Sequence, residues 1–98
     1  MKNIKLTIEY DGTRYAGWQR QPNAMTVQQA VEDALKKLTG EEIRIIGSGR
    51  TDSGVHARGQ TANFHTGSSI PPEKYSYALN SLLPGDIRIV HSREVDGS

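Results

Sequence analysis

Cysteine is absent from this 98-residue chain, which excludes a disulfide framework or a thiolate metal site and makes a reducing cytoplasm the expected location. Long apolar runs are missing as well. No stretch approaches the roughly 18 consecutive apolar residues of a membrane span, and the opening MKNIKLTIEY alternates instead of forming a signal-peptide core. A soluble protein without a membrane partner is therefore expected. Aromatic residues are few: one tryptophan, one phenylalanine and four tyrosines. A net charge of +1 is too small to argue by itself for a polyanionic partner. A chain this short buries only roughly 60–65% of the surface it exposes unfolded, so residues 1–98 are expected to form one domain with a thin core.

Glycine, by contrast, is abundant and concentrated. Four of the ten glycines fall in GSGRTDSGVHARGQ, Gly47 to Gln60. Charge is also unevenly placed: residues 10–30 and 43–66 hold Arg14, Arg20, Arg44, Arg50 and Arg58 against Asp11 and Asp52, and no lysine. The planar guanidinium fork matches phosphate oxygens, which suggests an anionic partner, although ordinary solvated loop charge accounts for the bias about as well.

Ile4, Leu6, Ile8 and Tyr10 alternate with Lys5, Thr7 and Glu9, the period-two pattern of a half-buried strand. Val27, Ala30, Val31, Ala34, Leu35 and Leu38 then recur at helical spacing. Thr26 is placed as N-cap, Gln29 at the capping-box position and Gly40 just past the end. Ile43, Ile45 and Ile46 read as a second strand running into Gly47. Gln60 to Thr66 reads as a third, with Ala62 and Phe64 on one face. IPPEKYSYALNSLL reads as a second helix, with Pro72 in its first turn, Tyr75, Ala78, Leu79 and Leu82 facing the core, and Pro84-Gly85 stopping it. Ile87, Ile89 and Val90 make a fourth strand. The order β-α-β-β-α-β predicts an α+β, ferredoxin-like fold: a four-stranded antiparallel sheet with two helices on one face. One sheet face and at least one edge are expected to be exposed, because REVDGS offers no capping element.

Two connections carry the chemistry. YDGTRYAGWQRQPN combines the Asp11-Gly12 turn signal with Tyr15, Trp18, Gln19, Arg14 and Arg20, groups suited to stacking on bases and holding phosphates. For Trp18 a structural anchor is the stronger alternative in so thin a core. In GSGRTDSGVHARG the glycines permit positive φ and close backbone approach at an entropic cost that a plain hairpin does not require. Asp52 follows Arg50 by two residues and precedes Arg58 by six. A nearby cation keeps a carboxylate ionised and able to serve as nucleophile or base, while an arginine–aspartate clip across the loop is the equally weighted structural alternative. Ser53 and His56 lack a nucleophile-elbow pattern. Asp52 and His56 could share a metal only on a helix, which Gly54 opposes, and no GxxxxGK[ST] lysine is present.

GRTDSGVHA, Gly49 to Ala57, closely resembles the catalytic motif of the tRNA pseudouridine synthase A family. YDGTRYAGWQRQPN and ALNSLLPGDI, Ala78 to Ile87, resemble two further blocks of that family in the family's order, so the resemblance spans essentially the whole chain. It implies isomerisation of uridine to pseudouridine in the anticodon arm of tRNA, without metal or organic cofactor. Asp52 is then the nucleophile, attacking either the uracil ring or the ribose anomeric carbon. Arg50 is implied to assist base flipping and to orient Asp52. Arg14, Trp18, Gln19, Arg20, His56 and Arg58 are implied as lesser RNA contacts. The resemblance covers only the first of two related halves in the family's catalytic domain. A missing C-terminal half, homodimerisation of the full-length enzyme and inactivity of this chain alone are therefore expected. The alternative is a ferredoxin-like RNA-binding module without catalysis, which would need two or three stacking aromatics on its central strands where RGQTANFHT has only Phe64. A small-molecule regulatory domain of the same fold would not require the glycine-rich loop.

Overall fold

The computed structural model describes residues 1–96; Gly97 and Ser98, the end of the REVDGS stretch, lie outside the described residues. Strand β1 (Lys2–Tyr10) lies second from one edge in a sheet of order β2-β3-β1-β4, with β2 at Ile46–Gly47, β3 at Ala57–Thr66 and β4 at Ile87–Val95. All pairings are antiparallel. Helices α1 (Val27–Thr39) and α2 (Tyr75–Asn80) complete the expected β-α-β-β-α-β order. The α+β, ferredoxin-like arrangement is thus present.

The alternation in β1 puts Ile4, Leu6 and Ile8 into the core, where they meet Val31 and Leu35 of α1, Phe64 of β3 and Tyr75 and Leu79 of α2. Each such fully buried aliphatic side chain favours folding by about 1.5–3 kcal/mol relative to exposure. Phe64 and Tyr75 pack edge to face at 5.4 Å. Helix α1 starts where Thr26 Oγ1 accepts the Gln29 N–H (3.2 Å) and stops at Gly40, whose φ of 76° suits only glycine well.

Three boundaries differ from expectation. Ile43 and Ile45 are buried but unpaired, and only Ile46–Gly47 forms β2. The Ile45 N–H donates instead to Glu32 Oε2 (3.0 Å), a buried carboxylate that also accepts from Gln28 Nε2 and Arg20, both at 3.0 Å. A side chain has replaced a strand as the partner of that backbone. Strand β3 begins at Ala57, three residues before Gln60. The helical segment after Ile70 is shorter than expected: a 3-10 turn at Pro72–Lys74 leads into the six residues of α2. Leu82, expected to face the core, is 43% exposed, and Leu83 packs there instead.

The helix-free sheet face carries Lys5 and Thr7 of β1, Thr61 and Asn63 of β3, and His91 and Arg93 of β4 in cross-strand register. Along the outer edge of β4, the Asn80 side chain donates to the Ile89 carbonyl (2.9 Å) and accepts its N–H (2.8 Å). This covers one position of an otherwise available edge.

Candidate active site

An antiparallel sheet with β1 between β3 and β4 brings the end of β1 to the starts of both neighbours. The three segments singled out in the sequence therefore converge at one end of the sheet. Register slips beside Ile8 on both sides of β1 sit at the same end, as bulges at sheet ends and sites commonly do.

Asp86, from the third segment, is the outer pin. Its carboxylate accepts from Arg14 Nε (2.9 Å) and Tyr15 Oη (2.7 Å), and its carbonyl accepts the Asp11 N–H (2.9 Å). Burial of Tyr15, together with its bond to ionised Asp86, pushes the phenol up to about 12. The hydroxyl therefore remains a donor throughout the physiological range. The Asp86 carboxyl is held below the usual range: desolvation would raise it, but the Tyr15 and Arg14 bonds outweigh that effect. Sequence reasoning missed Asp86; its place after the helix-stopping Pro84-Gly85 marked a turn, not a partner for residues more than seventy positions away.

The first loop in turn grips the segment around Asp52. The Trp18 N–H donates to the Thr51 carbonyl (3.1 Å), the Gly54 N–H to the Tyr15 carbonyl (3.1 Å), and Ser53 Oγ to the same carbonyl (3.3 Å). Tyr10 Oη and Thr51 Oγ1 lie 2.6 Å apart. A turn from Asp52 to Val55 closes through the Val55 N–H to the Asp52 carbonyl (3.1 Å), with Gly54 at φ 79°. The two segments approach so closely that a Cβ on Gly12 would lie 1.8 Å from the Val55 carbonyl oxygen. One on Gly17, which has φ 83°, would lie 2.4 Å from that of Thr51. The glycines of the first loop, more than those beside Asp52, permit the contact.

Asp52 is exposed at the first position of this turn. Among the described residues its carboxylate forms no hydrogen bond or ion pair, and neither Arg50 nor Arg58 forms an ion pair. The arginine–aspartate clip, one of the two readings of the loop, is therefore not made. Arg50 borders a groove of about 330 Å³ with Gln19 and Trp18. Arg58 and His56 border a second groove, of about 440 Å³, with Asp11, Asp86 and Arg88. Arg14 and Arg20 are engaged within the chain, by Asp86 at 2.8 Å and Glu32 at 3.0 Å.

Trp18 is 3% exposed and its ring stacks 6.3 Å from that of Tyr10. Such enclosure favours the anchor role of Trp18 over a stacking contact with a base. No cluster of three metal-ligating side chains occurs among the described residues, and no helix is long and apolar enough to cross a membrane.

Residues 6–97 match a protein-family model described as tRNA pseudouridine synthase. The chain is 64% identical over 95 residues to a tRNA pseudouridine synthase A of Caldicellulosiruptor saccharolyticus, covering 97% of this chain and 39% of that protein. It is 62% identical over 96 residues to one of Acetivibrio thermocellus, covering 98% and 39%. To one of Clostridium kluyveri it is 60% identical over 98 residues, covering 100% and 40%. The chain thus spans about two fifths of the length of these curated relatives.

Proposed function

This chain belongs to the tRNA pseudouridine synthase family, and from that premise we propose that the full-length protein isomerises uridine to pseudouridine in tRNA, with Asp52 as the nucleophile. The reaction exchanges the glycosidic carbon–nitrogen bond for a carbon–carbon bond to the same ribose. A proton leaves the ring carbon and one is gained on nitrogen, so no oxidant or reductant is consumed. The observation that carries the assignment is an exposed carboxylate that no neighbour among the described residues engages, on a turn whose backbone the first loop grips on both flanks of Asp52. Catalysis needs a reactive group that is rigidly held yet unspent. The test is loss of pseudouridine formation in the Asp52→Asn variant of the full-length protein.

The substrate region is the anticodon arm, and the target uridine leaves its stack to reach Asp52. Arg50, beside the turn and free of ion pairs among the described residues, assists that step and orients the nucleophile. Arg58, His56 and Gln19 are the remaining RNA contacts. Arg14 and Arg20 contribute to RNA binding only while remaining engaged by Asp86 and Glu32. Alanine at Arg50 or Arg58 is expected to flatten the slope of log affinity against log salt by about one each. Measuring tRNA affinity between low and moderate salt checks this, and an unchanged slope for both variants would remove them from the interface.

The full-length protein acts in the cytoplasm as a homodimer, and this chain alone is inactive because the second wall of its site belongs to the remaining half. Incubating the purified 98-residue chain with unmodified tRNA is expected to yield no pseudouridine; robust turnover would overturn that expectation. A purely RNA-binding reading is disfavoured by Phe64, the one aromatic of β3, which is 1% exposed on the helix side of the sheet. The bare face therefore lacks the stacking platform such modules use.

A further inference from the structure

His56 leaves Nε2 available to RNA, but its Nδ1 is occupied within the chain. Nδ1 accepts the Gly12 N–H at 2.9 Å, joining residues 44 positions apart. Asp11 Oδ1 also lies 3.2 Å from Nδ1. That oxygen already accepts from Thr13 N (3.0 Å) and Thr13 Oγ1 (2.6 Å). These bonds hold the Asp11 carboxyl below its usual range. An Nδ1 that accepts from Gly12 has no proton there to give Asp11, so the bond formed is the one to Gly12, with the ring proton on Nε2.

Gly12 is buried, and its backbone lies against Val55 too closely for any side chain. Its N–H has no other acceptor among the described residues. Without the imidazole that donor loses its protein acceptor and is left to solvent, so this link between the two segments is gone. Asp52 stands four residues before His56 and opens the turn that His56 directly follows. We propose that His56 is a positioning residue for Asp52: its Nδ1 latches the Asp52–Val55 turn onto Gly12 and thereby fixes where the carboxylate stands. This rests on the assignment of Asp52 as nucleophile.

Asparagine can place its Oδ1 near the position of Nδ1, so it keeps the acceptor and loses the imidazole. The test compares His56→Ala and His56→Asn in the full-length protein by amide hydrogen exchange at Gly12, measured without tRNA, and by steady-state turnover. In His56→Ala, Gly12 is expected to exchange about tenfold faster. Its kcat is expected to fall roughly ten- to a hundredfold, the mark of a displaced reacting group, whereas loss of an RNA contact made through Nε2 appears in KM. His56→Asn is expected to recover most of both losses. Unchanged Gly12 protection in His56→Ala, unchanged kcat there, or an Asn variant as impaired as the Ala variant would overturn the latch. Activity retained by Asp52→Asn would count against the nucleophile assignment alone, because Gly12 protection is read without substrate.

Discussion

The Asp52→Asn variant of the full-length protein is expected to form pseudouridine at least about four orders of magnitude more slowly than the parent, the scale of loss when a nucleophile is removed. Its affinity for unmodified tRNA should be nearly unchanged. The two side chains are almost equal in size, so the turn need not move. The carboxylate has no hydrogen-bond or ion-pair partner among the described residues, so amidation strands no cation and breaks no internal bond. Unfolding midpoints of the two proteins should therefore coincide. A quantitative pseudouridine assay beside a tRNA-binding titration separates the outcomes, and near-parental turnover would mean that another residue is the nucleophile.

Gly17→Ala is expected to be severely damaging although it leaves every polar side chain in place. At φ 83° an alanine costs about 1–2 kcal/mol in backbone strain. Its Cβ would also stand 2.4 Å from the Thr51 carbonyl oxygen and 3.2 Å from the Asp52 carbonyl carbon. Neither contact is with a flexible side chain, so the segment carrying Asp52 has to retreat by about 1 Å, a displacement that can cost roughly a hundredfold in rate. Gly17 is also placed where its carbonyl accepts the Val27 N–H at the start of α1 (3.2 Å). The strain should therefore appear as about 2–4 kcal/mol of lost stability as well. Denaturant unfolding and kcat measured on one preparation check both halves. A variant with parental kcat would show that Asp52 tolerates the shift.

How far such contacts can be anticipated depends on their reach along the chain. The alternation of β1 and the Thr26-to-Gly40 frame of α1 are local physics, and both elements formed essentially where expected. Ile43 and Ile45 look like strand residues because burial and β-branching do not reveal which group takes the backbone N–H. Here Glu32, on the preceding helix, takes it at Ile45. Gly47–Gln60 announced itself through composition, but its partners did not. The Tyr15 and Trp18 bonds to this segment and the Asp86 bonds to the first loop join positions far apart in sequence. Nothing in the spacing of DGTRYAGW marks Gly12 and Gly17 as the points of closest approach. His56 is the sharpest case: a histidine in a basic, glycine-rich loop invites an RNA role, whereas its nearest polar partner is the N–H of Gly12.

The sheet order also imposes a timetable. Strand β1 precedes the other three strands in the chain, yet its two neighbours are β3 and β4, with Asn3 opposite His65 on one side and Val95 on the other. One of its hydrogen-bonding edges must wait for β3 to be synthesised and the other for β4. Helix α1 can begin to form locally, but β1 closure spans most of the chain, and such long-range pairings form slowly. The Asp52 turn depends on Tyr10, Gly12, Tyr15 and Trp18 being in place, so it cannot acquire its final shape before β1 does. During translation, the nascent chain carries β1 unpaired until β3 emerges and paired on one side only until β4 follows, an interval in which a chaperone or a wrong partner can reach it first.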